Sequence, residues 1–237
     1  MSKKKPMISE RNALRIALAI ALGITLHNYL SSPSEHTLRG KVVKLSSPRG
    51  SCSGEQIRAP SGVDYILTAA HCRVLEVDGQ IHVKTEDGRE LERRVISEDP
   101  NADLMLLEGV PGLQGLDIAK SDSVADNIRT FTHGKGLSTY RTEGVIIEDR
   151  MLDIEVSMIS SPEDAAKCAS MPKYIAQEDA CIMHTMGTMV TAMVVPGSSG
   201  GMAVNESGEL IGVVSAGNDH FGILVPLSEI QAFIHSY

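Results

Sequence analysis

From residue 41 onward the chain is a succession of short apolar stretches, broken every few positions by glycine, proline or charged pairs. Lys41–Leu45, Ser51–Ile57 and Tyr65–Thr68 read as strands, divided by the turns Ser47-Pro48-Arg49-Gly50 and Ala59-Pro60-Ser61-Gly62. Gln80–Lys84 and Leu91–Ile96 alternate as half-buried strands do, with Asp87-Gly88 as a hairpin turn between them. Leu104–Leu107 is apolar throughout. Strands this short, at this spacing, predict a small closed antiparallel barrel.

After a connector from Val110 to Ser123 with little periodicity, the pattern resumes. Strands are predicted at Ile128–Thr132, Arg141–Glu148, Met151–Val156, Ile182–Thr185, Met189–Val195, Glu209–Ser215 and Gly222–Val225. Two segments carry a helical period instead. Ser160–Pro172 offers Ser161 as a cap ahead of Pro162, Glu163 and Asp164. Leu227–Tyr237 puts Leu227, Ile230, Phe233 and Ile234 on one face, with Ser228 as N-cap.

The N-terminus is of another kind. Lys3, Lys4, Lys5, Arg11 and Arg15 precede an uncharged run from Ile16 to Leu26. Counted from Ala13 to Leu30, the stretch approaches the ~20 residues that cross a bilayer. Cations before the span and few after it place the rest of the chain outside. Residues 1–30 therefore read as a cytoplasmic tail and signal-anchor that touches the membrane through 13–30. A cleaved signal peptide or a surface-lying helix are the other readings. Residues 31–38 form a polar linker, and 39–237 the folded body, with one barrel over about 39–112 and another over about 124–237.

Composition narrows the field. With 22 Lys+Arg against 30 Asp+Glu and a net charge of -8, nucleic acid is not expected as a partner. With no Trp and three Phe, the core must be built from Val, Ile, Leu, Met and Ala. Four cysteines, Cys52, Cys72, Cys168 and Cys181, lack the C-x-x-C or paired-histidine spacing of a metal site, so neither metal nor cofactor is expected.

Chemistry concentrates at Pro196-Gly197-Ser198-Ser199-Gly200-Gly201, between two apolar runs. Its glycines permit backbone angles other residues resist and let a reacting carbonyl approach main-chain N–H groups. A serine hydroxyl is a weak nucleophile unless a base and an orienting group accompany it. Leu67-Thr68-Ala69-Ala70-His71-Cys72 supplies a histidine at the end of a strand, and Asn101-Ala102-Asp103-Leu104 a carboxylate at the start of another. Together these three segments resemble the trypsin-like serine peptidases, in the order His, Asp, Ser.

That resemblance implies an all-β fold of two packed six-stranded antiparallel barrels with a C-terminal helix, preceded here by the N-terminal hydrophobic helix. It implies a serine endopeptidase acting on protein or peptide through an acyl-enzyme, with His71, Asp103 and Ser199 catalytic and the N–H groups of Gly197 and Ser199 as oxyanion hole. It also places Met193, Ser215, Ala216, Gly217 and Gly222 around the substrate side chain; no acid stands there, which favours a medium-sized apolar residue. His184 and His220 are the nearby histidines that would alter this preference. Of the three possible cysteine pairings, local order favours Cys52 with Cys72 and Cys168 with Cys181, and the first matches the bridge the family carries beside its histidine. Disulfides need the oxidising side of a membrane, periplasmic or extracellular, which the leader also predicts. One departure stands out: Ser198 occupies the place where zymogens of the family carry an acid, so activation by N-terminal cleavage is not expected. In this the chain looks more like HtrA-type and viral members. A catalytically silent fold that binds a protein partner is the alternative function.

Overall fold

The computed structural model describes residues 33–120, 127–136, 138–170 and 174–237. The predicted membrane segment at 13–30 lies outside them; among the described residues no helix is long and apolar enough to cross a membrane.

Six strands, β1 (Val42–Ser47), β2 (Gly50–Arg58), β3 (Asp64–Thr68), β4 (Gln80–Thr85), β5 (Glu90–Asp99) and β6 (Leu104–Glu108), close into an antiparallel barrel in the order β1-β2-β3-β6-β5-β4. The Asp87-Gly88 turn forms as expected, with Gly88 at φ +86°. Side chains that alternate along these strands feed two separate cores. Val43, Leu45, Ile66, Ile81, Val83, Met105 and Leu107 fill the barrel. Val42, Ile57, Leu67, Leu104 and Leu106 point outward, yet are equally buried, because they meet Phe131, Met202, Val204 and Val213 of the second half. Burial on both faces explains why β6 is a continuous apolar run.

The second half holds β7 (Ile128–Thr132), β8 (Tyr140–Gly144), β9 (Ile146–Met158), β10 (Tyr174–Gln177), β11 (Ala180–Val190), β12 (Met202–Val204), β13 (Leu210–Gly217) and β14 (Gly222–Pro226). The expected six-stranded closure is not what forms: the order is β10-β11-β14-β13-β12-β7-β8, with β9 paired to β11, a curled half-barrel of eight strands. Strand boundaries shift accordingly. Asp149 and Arg150, expected between two strands, lie inside β9 opposite Thr188 and Gly187. β11 likewise runs through the break expected near Gly187, and stops at Val190 instead of continuing to Val195. From there the backbone bonds elsewhere, with Thr191 N–H on Val145 O and Val194 N–H on Asn218 O.

Among the described residues three α-helices complete the unit: α1 (Glu35–Arg39), α2 (Pro162–Ala169) and α3 (Leu227–Ile234). α1 lies in the stretch read as linker; Ser34 caps it and its Leu38 is wholly buried in the inter-barrel core. Ser161 Oγ accepts the Asp164 N–H as α2 starts, the expected cap. α3 seals the body with Leu227, Ile230 and Ile234, but its N-cap is Pro226 and not Ser228, so no side chain caps it. Both disulfides form as expected, Cys52–Cys72 joining β2 to the turn after β3 and Cys168–Cys181 joining α2 to β11.

Candidate active site

β3 ends at Thr68, and a 3-10 turn over Ala70–Leu75 follows, carrying His71 on its first coil. The Cys52–Cys72 bridge fixes this turn to β2. Asp103 ends the loop before β6 with a left-handed backbone, φ +56°, a conformation Asp tolerates better than most residues. That geometry aims both ends of the residue at the histidine turn: its carbonyl accepts the Ala70 N–H (3.1 Å), and its carboxylate the His71 N–H (3.0 Å).

The His71 ring completes the pair, with Nδ1 3.0 Å from each carboxylate oxygen. Asp103 is 2 % exposed and His71 36 %. Burial alone would raise the Asp103 pKa, but the His71 charge and hydrogen bonds, with a further bond from Ser215, hold it below its ordinary value. Burial likewise opposes charge on His71, and the Asp103 charge and hydrogen bond outweigh it, leaving His71 above its ordinary value. The arrangement fixes one tautomer, with the proton on Nδ1 and Nε2 free to accept.

Ser199 comes from the second half, in the loop between Val195 and β12. Gly197 (φ +91°) and Gly200 (φ +80°) take backbone angles closed to most residues, and a Cβ on Gly200 would fall 2.3 Å from the Ser53 carbonyl. The N–H groups here divide sharply. Ser198 N–H bonds Val195 O (2.9 Å), Gly200 N–H bonds Val214 O (2.6 Å) and Gly201 N–H bonds Ser198 O (2.9 Å). Among the described residues nothing takes the N–H of Gly197 or of Ser199. Lys135 N–H holds the Pro196 carbonyl at 2.6 Å, which turns the Pro196–Gly197 peptide so that the Gly197 N–H faces the other way.

β2 is the strut between the halves. Ser53 N–H bonds Ser199 O (2.8 Å), Ser53 Oγ donates to Gly197 O (2.9 Å) and accepts from His133 N–H (2.8 Å), and Thr68 Oγ1 donates to Ser53 O (2.7 Å). Ser215 on β13 is the other link: its Oγ donates to Asp103 Oδ2 and its carbonyl accepts from Ser199 Oγ (3.2 Å). With its hydroxyl turned to Ser215, Ser199 makes no hydrogen bond to His71 among the described residues.

Of the residues expected around the substrate side chain, Ser215, Ala216 and Gly217 lie on β13, and Gly217 pairs with Gly222 on β14. This glycine pair serves close packing: a Cβ at either would come within 2.8 Å of the Val194 side chain. Met193, which precedes Val194 in the chain, is 41 % exposed. His184 pairs with Asp153 across β9 and β11, and His220 sits in the exposed β13–β14 turn. Donor atoms of Cys52, Cys72 and His71 fall within 4.8 Å of one another, but the two sulfurs are bonded together and Asp103 holds His71 Nδ1. Sequence reading missed Ser53 and the tie from Ser215 to Asp103, for which no local motif exists.

The chain is similar to several known proteins. The chain is 26% identical over 189 residues to the periplasmic serine endoprotease DegP of Salmonella typhimurium, covering 76% of this chain and 34% of that one. It is 29% identical, with the same coverage, to a protein of Buchnera aphidicola named probable serine protease do-like. The chain thus spans about a third of the length of these relatives. In fold it matches the Rv3671c protease of M. tuberculosis, in the active form with TM-score 0.61, 20% identity and coverage of 85% and 86%, and in the inactive form with TM-score 0.59, 20% identity and coverage of 86% and 98%. The trypsin-like peptidase domain model matches residues 52–213, well over half the chain, and the protein belongs to that family.

Proposed function

We propose that the protein is a serine endopeptidase in which Ser199 attacks the scissile carbonyl, His71 takes its proton and Asp103 orients and stabilises the imidazolium. His71 then gives that proton to the leaving amine, and water, deprotonated by the same imidazole, hydrolyses the acyl-enzyme. The observation that carries this reading is the pair of unclaimed N–H groups on Gly197 and Ser199, in a turn where the intervening and following N–H groups are all bonded. Donors left open in a rigid turn beside a nucleophile stabilise a developing oxyanion without reorganising. The substrate is a protein or peptide. The Val194 side chain packed on the Gly217–Gly222 pair, the exposed Met193 next to it in the chain and the lack of an acid among these residues favour a medium-sized apolar side chain.

The two disulfides and the periplasmic name of the Salmonella relative support a peptidase domain on the periplasmic or extracellular side. The apolar run at 13–30 would tether it there. The decisive test is labelling of the full-length protein by a fluorophosphonate, read by intact mass beside Ser199→Ala. A label that vanishes with Ser199 is the expected result. A folded, oxidised protein that takes no label would favour the silent, partner-binding fold.

A further inference from the structure

Ser198, which precedes the nucleophile, is wholly buried and its hydroxyl is crowded with partners. Tyr140 OH lies 2.6 Å away and Thr132 Oγ1 3.1 Å away, and the Val195 N–H points at the same oxygen from 3.3 Å. The main chain of Ser198 is equally committed. Its N–H closes the turn from Val195 and its carbonyl closes the next one, to Gly201. Ser199 and its neighbour Gly197 are therefore suspended between atoms of Ser198, and whatever holds Ser198 holds the two open N–H groups.

The hydroxyls that hold it come from adjacent strands. Thr132 at the end of β7 is the cross-strand partner of Tyr140 at the start of β8, so the two side chains leave the sheet on one face. Space for the tyrosine is provided by a separate residue. At Gly134 a Cβ would fall 2.6 Å from Tyr140 Oη and overlap the ring and the Val195 side chain as well. A glycine kept open for a ring, a ring that ends on a buried serine, and a serine that frames the nucleophile form one chain of contacts.

We propose that Tyr140, acting through Ser198 with Thr132, is a positioning residue that keeps the Val195–Gly201 turn in its hole-forming shape. This rests on the peptidase reading for its consequence in catalysis, but not for its consequence in structure. A neutral hydroxyl cluster here fills the place where the family resemblance expects an acid. It holds the turn by hydrogen bonds wholly within the folded body, with no newly cut N-terminus required.

The test is Tyr140→Phe in the full-length protein, which keeps the ring and removes one oxygen, with Thr132→Val as a second, independent cut in the same cluster. Amide hydrogen exchange should quicken about tenfold or more at Ser198, Gly200 and Gly201 and stay unchanged in α3. On a peptide substrate kcat should fall about 10–100-fold, short of or reaching what loss of a whole oxyanion donor costs, with KM within about twofold of the parent. In a Ser198→Ala background Tyr140→Phe should add little, because the serine oxygen that the tyrosine hydroxyl meets is already gone. Unaltered exchange across the turn in a folded Tyr140→Phe protein overturns the proposal, whether or not the parent is active. Failure of the peptidase reading shows separately, as a parent protein that takes no fluorophosphonate label.

Discussion

Ser215 Oγ lies 2.5 Å from Asp103 Oδ2, a hydrogen bond that crosses from the second half of the fold to the first. The carboxylate is thereby held from both sides, by the histidine turn of its own barrel and by β13 of the other. A bond to a buried charge is worth about 1.5–3 kcal/mol. Ser215→Ala should cost about that much stability and lower kcat/KM about tenfold by loosening Asp103, while the Ser215 carbonyl still receives Ser199 Oγ. Denaturant unfolding and initial rates check it. A fully active variant would mean that the histidine turn alone positions Asp103.

His71 must be neutral to accept a proton, and its pairing with Asp103 favours the charged form. Activity should therefore rise with pH through a midpoint above the ordinary 6.5. Asp103→Asn should bring that midpoint down as well as reducing turnover by roughly 10⁴. The linkage to stability runs in opposite senses for the two groups. Since the His71 pKa is raised on folding, its contribution is complete below 6.5 and is lost as pH climbs through the folded value. Since that of Asp103 is lowered, its contribution is present above 3.8 and is lost as pH falls through the folded value. A pH–rate profile with its midpoint at or below 6.5 would show that Asp103 does not govern the imidazole.

The Cys52–Cys72 bridge ties the His71 turn to β2, whereas Cys168–Cys181 ties α2 to β11, away from the histidine turn. Removing either by paired Cys→Ser changes should cost about 2–4 kcal/mol. Only loss of the first should also slow labelling of Ser199, because only that bridge adjoins the His71 turn. Equal loss of labelling from both pairs would show a general effect of stability instead.

The sequence carried the first barrel almost whole, since its strands are short, bounded by Gly and Pro, and buried in an alternating or continuous pattern that leaves little choice. Leu104-Met105-Leu106-Leu107 shows the limit of that reading. Its period cannot reveal that Leu104 and Leu106 face the other half while Met105 and Leu107 fill the barrel. The β9–β11 ribbon was harder. Asp149 and Arg150 look like a turn, but lie on a partly exposed pair of strands where Thr188 Oγ1 donates to Asp149. In the site, His71, Asp103 and Ser199 were legible because each sits in a local motif. Ser53, Tyr140 and the tie from Ser215 to Asp103 were not, because each acts through a partner far along the chain, across the two halves for Ser53 and Ser215 and within the second half for Tyr140.

Glu55 gives the last prediction. It is wholly buried on β2, between Val42 of β1 and Leu67 of β3, and neither carboxylate oxygen has a hydrogen-bond partner among the described residues. It shares a strand face with Ser53, the residue fastened to Gly197. Burial pushes its pKa well above the ordinary 4.5, so the folded protein keeps a proton that the unfolded chain releases. Stability should then decline as pH rises from about 4.5 towards the folded value, opposite in sense to the contribution of Asp103. Glu55→Gln cannot titrate, and the gap in unfolding free energy between it and the parent should widen in the variant's favour between pH 5 and 8. His71 and Asp103 are present in both proteins and cancel from that difference. Glu55→Leu removes the unpartnered polar group as well, and should exceed the parent at pH 7 by about 1–3 kcal/mol. A gap between Glu55→Gln and the parent that does not change with pH would mean that Glu55 finds a partner in solution, and that the core between the two halves is less dry than its apolar lining implies.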